Sequence, residues 1–334
     1  MEYCGDLWYG AYGGCFIADA FTLACDRSFT AFEAAAADPA FLAEYEALRR
    51  AFPQPAPRFE SDGPNGACLC WAPENYGALL GTLLLSKRLG REAVCGARYA
   101  DEALLCAQAG AYLGVKLHLF LGRGPGGLRS LTEQLELLGV SYDVNMCAEL
   151  FDLPEMYAFQ AWVSEPERRQ LVNCRSNVGA FPQTNIAGAF AALEAKALVE
   201  QAAASLGRLD RVVIPAVSGS YALAVAENLP QDCACVCVEC DTQPDLTEEL
   251  DSYCGAFTRV MRNRTVDRVL APRLMKLVDD GRVRRVLVEP GEAVKAGRAG
   301  ISLQSMAALR YCGDRPEAGT TLCLIRAARW GAAT

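Results

Sequence analysis

Apolar side chains recur along this chain with two periods. In the run "WAPENYGALLGTLLLSKRLG", residues 71–90, Leu79, Leu80, Leu83 and Leu84 fall about one helical turn apart and Gly90 follows them, which predicts an amphipathic helix ending at that glycine. Beyond it, short apolar runs at 92–95, 115–121, 140–144, 211–216, 235–239, 284–288 and 321–325 read as strands. Helix-period stretches at 101–113, 127–138, 186–206, 265–280 and 301–312 lie between them. Short apolar strands separated by helices predict an α/β fold whose mostly parallel sheets are buried on both faces. Upstream, "FEAAAADPAFLAEYEALRR" (32–50) has helix composition interrupted near Pro39, and the proline-rich "FPQPAPRF" (52–59) is the best linker candidate. The expected organisation is an N-terminal helical arm over 1–60, a smaller α/β lobe over 61–180 and a larger one over 181–334. The arm carries Phe16, Phe21, Leu23, Phe29, Phe32, Phe41 and Leu42, more apolar surface than one small helix needs, which points to a homodimer or a heteromer.

Composition narrows the function classes. The net charge of -8 argues against nucleic acid or an anionic membrane as partner. No run approaches the ~18 consecutive apolar residues of a membrane span. The opening "MEYCGDLWYG" lacks the basic and apolar regions of a signal peptide, so a cytoplasmic location is expected. The sixteen cysteines are scattered through apolar runs and read as small buried hydrophobes in a reducing compartment. In "DCACVCVECDT" strand alternation puts Cys233, Cys235 and Cys237 on one face and Cys240 on the other, a poor start for a tetrahedral metal site, so no metal is expected. The lone histidine, His118, alternates with Leu117 and Leu119 without a visible carboxylate or nucleophile and reads as a strand-face residue. Asp101 and Glu102 suit a helix N-terminus. "GRGPGG" (122–127) reads equally as a turn or as an anion-binding loop.

Several motifs together resemble the β chain of tryptophan synthase, a member of the fold type II pyridoxal-phosphate enzymes. They are "YGAYGGCF" (9–16) with the following Asp-Pro helix, "LLSKRLGR" (84–91), "AYLGVKLHLFLG" (111–122), "LELLGVSYDV", "SNVGAFPQTN", "GRLDRVVIPAVSGSYALA" (207–224), "CVCVEC" and "AGISLQSMAALRY". The resemblance runs over almost the whole chain, apart from a segment of the larger lobe that is shortened around 240–260. It implies two α/β lobes, pyridoxal phosphate as the family cofactor and association through related surfaces.

The same resemblance shows what has changed. The cofactor lysine of the family would stand at Asn75, with Glu74 beside it, and no lysine occurs between Met1 and Ser86. The substrate-carboxylate loop is replaced by "CGARYADEALL", which puts Arg98 and Tyr99 in the pocket. The phosphate cradle is reduced to Ser218, Gly219 and Ser220, and Ala327 stands where a serine would meet the pyridine nitrogen. Gly179 and Glu239 complete the expected pocket. An aldimine needs an amine, and the five lysines of the chain, Lys87, Lys116, Lys196, Lys276 and Lys295, all lie elsewhere. The expectation is a pseudoenzyme that binds a small anionic ligand or a partner subunit without covalent pyridoxal catalysis. Two alternatives stay open: a pyridoxal-dependent lyase or β-replacement enzyme acting on an amino acid, and a cysteine-based metal or redox protein.

Overall fold

The computed structural model describes residues 19–53, 56–71, 76–97, 100–122, 128–144, 154–172, 185–216, 220–240, 270–298, 300–316 and 318–325. In chain order these form α1 (Asp19–Ala36), α2 (Pro39–Ala51), β1 (Arg58–Glu60), β2 (Cys68–Trp71), α3 (Gly77–Leu89), β3 (Glu92–Ala97), α4 (Ala100–Leu113), β4 (Leu117–Leu121), α5 (Leu128–Leu137), β5 (Ser141–Val144), α6 (Pro154–Ser164) and β6 (Arg169–Val172). The second half adds α7 (Asn185–Leu206), β7 (Arg211–Ala216), α8 (Ser220–Asn228), β8 (Ala234–Cys240), α9 (Leu270–Asp279), β9 (Val283–Val288), a short helical turn at Pro290–Ala293, α10 (Leu303–Asp314) and β10 (Thr321–Ile325).

The strands make two sheets. One has four parallel strands in the order β5-β4-β3-β6, and the other has six in the order β1-β2-β10-β7-β8-β9, parallel except for β1. Each is covered on both faces, as parallel sheets must be. On the small sheet Ala93, Cys95, Leu117, Leu119 and Leu121 face α3, α4 and α5, while Val94 and Leu171 pack with Phe159 and Trp162 of α6. On the large sheet Val212, Ile214, Cys235 and Cys237 face α7 and α8, while Val213, Val236, Val238 and Cys323 face α10. The strand alternation expected for the cysteine row holds: Cys233, Cys235 and Cys237 share one core, and Cys240 packs against the other.

Each expected strand is present, and β1, β2, β6 and helix α6 are additional. These three strands have four residues or fewer, too short to show a period. Two consequences correct the sequence reading. The end of the "FPQPAPRF" linker is β1, and β2 hydrogen-bonds to β10, so residues 58–71 belong to the sheet of the second half of the chain. The arm's Phe32 and Phe41 are buried in the chain's own core, packed on Phe190 of α7 at 4.8 and 6.4 Å between ring centroids, and Leu42 packs against that core. These three side chains therefore give no argument for a second subunit. The side chains of Phe21, Leu23 and Phe29, and the whole of Phe16, lie outside the described part of the structure.

Helices α3 and α7 meet through glycine. A Cβ on Gly81 would lie 2.2 Å from Cε1 of Phe190, and one on Gly77 would lie 1.8 Å from Oε1 of Glu194. The two glycines are one turn apart on the α3 face that receives α7, and only the missing side chains allow the approach. Glycine inside a helix costs about 1 kcal/mol relative to alanine, so its presence here reflects packing rather than propensity. Phe190 cannot retreat, because Phe32, Phe41 and Tyr45 surround it. Gly81→Ala should destabilise the fold by about 1–3 kcal/mol through overpacking, read as a lower urea midpoint. Adding Phe190→Leu should recover part of that loss.

Tyr45 of α2 belongs to the same junction. It is 1% exposed, and its hydroxyl makes no hydrogen bond among the described residues. Burial, then the Glu194 carboxylate, pushes the phenol well above its ordinary value. The folded state therefore excludes the phenolate. The resulting stability is complete below the unfolded value of about 10 and is lost as the pH rises beyond it. Tyr45→Phe should stabilise the protein by about 1 kcal/mol by removing a buried orphan hydroxyl. The variant should also lose less stability than the parent between pH 9 and pH 11, measured by thermal denaturation at each pH.

Candidate functional site

Ligands of parallel α/β sheets bind outside the carboxyl ends of the strands. Every residue expected in the site attaches there. Glu74 and Asn75 lie between β2 and α3, Arg98 and Tyr99 between β3 and α4, and Gly179 between β6 and α7. Ser218 and Gly219 lie between β7 and α8, Ser220 opens α8, Glu239 is the penultimate residue of β8, and Ala327 follows β10. Of these, only Ser220 and Glu239 are among the described residues, so the "VSGSY" turn, the position of Asn75 and the segment around 240–260 lie outside them.

Glu239 is half-buried and held by Arg285 of β9, with Nε–Oε1 at 2.6 Å and Nη2–Oε2 at 2.9 Å. A two-point guanidinium contact of this kind fixes both oxygens and neutralises the charge. Glu239 thus enters the site region as half of an ion pair rather than as a lone acid. Its partner was not foreseen, because Arg285 comes from a strand whose register only the folded sheet defines.

The amino end of α4 is acidic, with Asp101 and Glu102 in its first turn. The Tyr76 hydroxyl, one residue before α3, donates to Oδ2 of Asp101 at 3.3 Å, tying the starts of the two helices together. Glu102, in the same first turn, is 1% exposed. Glu194 lies against Gly77 with the Tyr45 hydroxyl, and Arg49 stands 3.9 Å from its carboxylate. Carboxylates at helix N-termini are favoured by the backbone dipoles, and here they meet the charge that an incoming anion would otherwise meet.

All five lysines are among the described residues, and all are exposed. Lys87 closes α3 and pairs with Glu44; Lys116 precedes β4 and pairs with Glu92 at 2.9 Å. Lys276 is in the last turn of α9, Lys196 is on the outer face of α7, and Lys295 pairs with Glu292 in the turn after β9. Lys87, Lys116 and Lys276 therefore stand at the amino ends of the strands that follow them, opposite the ligand edge.

His118 has more company than its sequence context suggests. Ser141 Oγ lies 3.0 Å from Nδ1, and Asp143 Oδ2 lies 3.1 Å from Nε2, both from the neighbouring strand β5. The expectation that His118 lacks such neighbours is thus corrected: residues 23 and 25 positions away become adjacent only through strand pairing. The serine hydroxyl donates to the Leu117 carbonyl at 3.1 Å, so it is not aligned as a nucleophile. The trio pins β5, an edge strand, to β4. Among the described residues no group of three or more His, Cys, Asp or Glu side chains could hold a metal, and no helix is long and apolar enough to cross a membrane.

No protein-family model matches the chain, and no curated protein matches it by sequence. Solved structures do. A pyridoxal 5'-phosphate-dependent aspartate racemase superposes with a TM-score of 0.53 at 13% identity, covering 87% of this chain and 96% of its own. Maize serine racemase gives 0.53 at 14%, covering 84% and 90%. The processed form of threonine deaminase isoform 2 from Solanum lycopersicum gives 0.50 at 13%, covering 89% and 92%. The chain has the fold of the fold type II pyridoxal-phosphate enzymes. At these identities the likeness concerns the fold alone. Covalent attachment of the cofactor of that fold would need an amine side chain. The five lysines, which carry all the amine side chains of the chain, are exposed.

Proposed function

We propose that the chain is a tryptophan-synthase-β-like binding protein on the fold type II scaffold, a pseudoenzyme that takes a small anionic ligand or a partner subunit and performs no covalent pyridoxal chemistry. The observation that carries this reading is the placement of all five lysines on the exposed surface. The motifs around 9–16, 84–91 and 207–224 support the tryptophan-synthase-β-like part of the proposal, and family members of that kind associate into dimers or heteromers. The likeness to a pyridoxal 5'-phosphate-dependent racemase favours the competing reading, a lyase or β-replacement enzyme with the cofactor held by other means.

Borohydride separates the two. The purified protein should be colourless, and reduction in the presence of pyridoxal phosphate should leave no pyridoxyl group on any lysine. A pyridoxyl-lysine found by peptide mass spectrometry would overturn the proposal. Asn75→Lys should not restore the adduct to more than a minor fraction of the chains. Asp101 and Glu102 open α4, Tyr76 next to residue 75 in the chain hydrogen-bonds Asp101, and anions near a new amine would hold its ammonium protonated.

The remnant cradle is where the anion would bind. Helix α8 begins at Ser220, directly after Ser218 and Gly219, and a helix N-terminus offers unpaired backbone N–H groups together with the positive end of its dipole. Inorganic phosphate should raise the melting temperature, and Gly219→Asp should abolish that rise by placing a carboxylate in the cradle. Equal shifts in parent and variant would reduce these serines to helix caps.

A further inference from the structure

His118 of β4 is the chain's single histidine. Its ring meets Phe120 edge to face at 4.8 Å between centroids, and Phe120 stacks on Tyr157 of α6 at 6.1 Å. On its other side stands β5, a four-residue strand at the edge of the small sheet that pairs with β4. Tyr142 and Val144 of β5 turn towards the core, whereas Ser141 and Asp143 turn the other way and are exposed. On that outer face the strand is held by what these two polar side chains reach.

They reach His118 through three links. Ser141 Oγ lies 3.0 Å from Nδ1 and donates to the Leu117 carbonyl at 3.1 Å, and Asp143 Oδ2 lies 3.1 Å from Nε2. The carbonyl and the carboxylate can only accept, and the serine has one hydrogen to give. While that hydrogen goes to Leu117, the serine oxygen accepts from Nδ1–H. An imidazolium brings both Nδ1–H and Nε2–H, so three hydrogens fill three links. A neutral ring brings one N–H, which leaves two hydrogens for the three links, and one link must open. The cheaper loss is the serine–carbonyl bond, because the hydroxyl rotates to Nδ1 while Nε2–H stays on the carboxylate. The other charges on this face of the sheet are matched among themselves: Glu92 of β3 pairs with Lys116 of β4 at 2.9 Å and with Arg169 of β6 at 3.2 Å. From α6, Tyr157 adds a phenol beyond Phe120. Asp143 is therefore the carboxylate that the ring answers to.

We propose that His118, Ser141 and Asp143 form a pH-sensitive clasp that holds the edge strand β5 to β4 while the ring carries its proton and slackens when that proton leaves for water. The sign follows from the count of hydrogens. All three links are made in the cationic form at the acid end of the histidine range, roughly pH 5 to 8, and one is lost as the pH rises through it. Strand β5 ends at Val144, on the carboxyl edge of the sheet, so the clasp sets how firmly that corner is held. The inference is independent of any ligand at the strand carboxyl ends.

Asp143→Asn tests the count. An asparagine accepts Nε2–H through its oxygen and donates to a bare Nε2 through its nitrogen, so the variant has enough hydrogens for all three links in either charge state. Hydrogen–deuterium exchange of the full-length protein, corrected for the intrinsic effect of pH, is read on peptides covering β5 and β3. Protection of β5 relative to β3 should fall about 2- to 10-fold between roughly pH 5 and pH 8 in the parent, the worth of one hydrogen bond, and stay level in the variant. Because the chain has one histidine, two-bond nitrogen–proton NMR correlations report its tautomer without assignment. The neutral ring should carry its proton on Nε2 in the parent, beside the carboxylate, and on Nδ1 in Asp143→Asn. A protection ratio that ignores pH in the parent, the same fall in the variant, or one tautomer in both proteins would overturn the proposal.

Discussion

The close approach of α3 to α7 is the constraint on which this structure depends. Helix α3 leads from the large sheet into the small one, and α7 leads back, so their packing is where the two sheets are joined. Gly77 and Gly81 remove the side chains that would separate the helices, and Phe190 fills the space together with Phe32, Phe41 and Tyr45. The arm α1–α2 is therefore part of this joint. The N-cap of α2 belongs to the same arrangement: Asp38 accepts from the Ala40 amide at 2.9 Å and from Arg88 of α3 at 2.8 Å. First the Ala40 amide and then Arg88 hold that carboxyl below its usual value, so the cap and the ion pair act on one charge.

The same joint sets the electrostatics of the site. Because α3 and α4 both start at the strand carboxyl ends, whatever stands in their first turns faces the ligand region. In this chain Asp101 and Glu102 stand in the first turn of α4, Tyr76 binds the first of them, and Glu194 of α7 lies beside Gly77 at the start of α3. Positive backbone ends that commonly receive an anion are thus partly satisfied from within. At the β7–α8 turn the first helical turn contains no acidic residue, so the two ends of the carboxyl edge differ in charge. By this measure an anion would be less favoured at the start of α4 than at the start of α8.

What was legible in the sequence follows from the range of the forces involved. Strand alternation is a local property, and it placed Cys233, Cys235 and Cys237 opposite Cys240 without any knowledge of the sheet. The strands β1, β2 and β6 left little such trace, since "RFE", "CLCW" and "RQLV" span at most two periods and none of them alternates apolar with polar residues over its length. Contacts made by register were hidden altogether: Arg285 beside Glu239, and Ser141 and Asp143 beside His118. The glycines of α3 are visible in the sequence, but their packing role appears only when α7 is in place.

Scaffold and chemistry separate cleanly in this protein because they make different demands on the same residues. The fold requires apolar strands, covered faces and a close α3–α7 contact, and these are met mainly by aliphatic and aromatic side chains, small buried thiols and two glycines. Covalent chemistry on such a scaffold would require one desolvated amine at the strand carboxyl ends. Lysine is stable on a surface at almost no cost, whereas a buried amine must be neutral or paired to be tolerated. All five lysines follow the surface side of that balance: they are exposed, and three of them, Lys87, Lys116 and Lys295, pair with carboxylates.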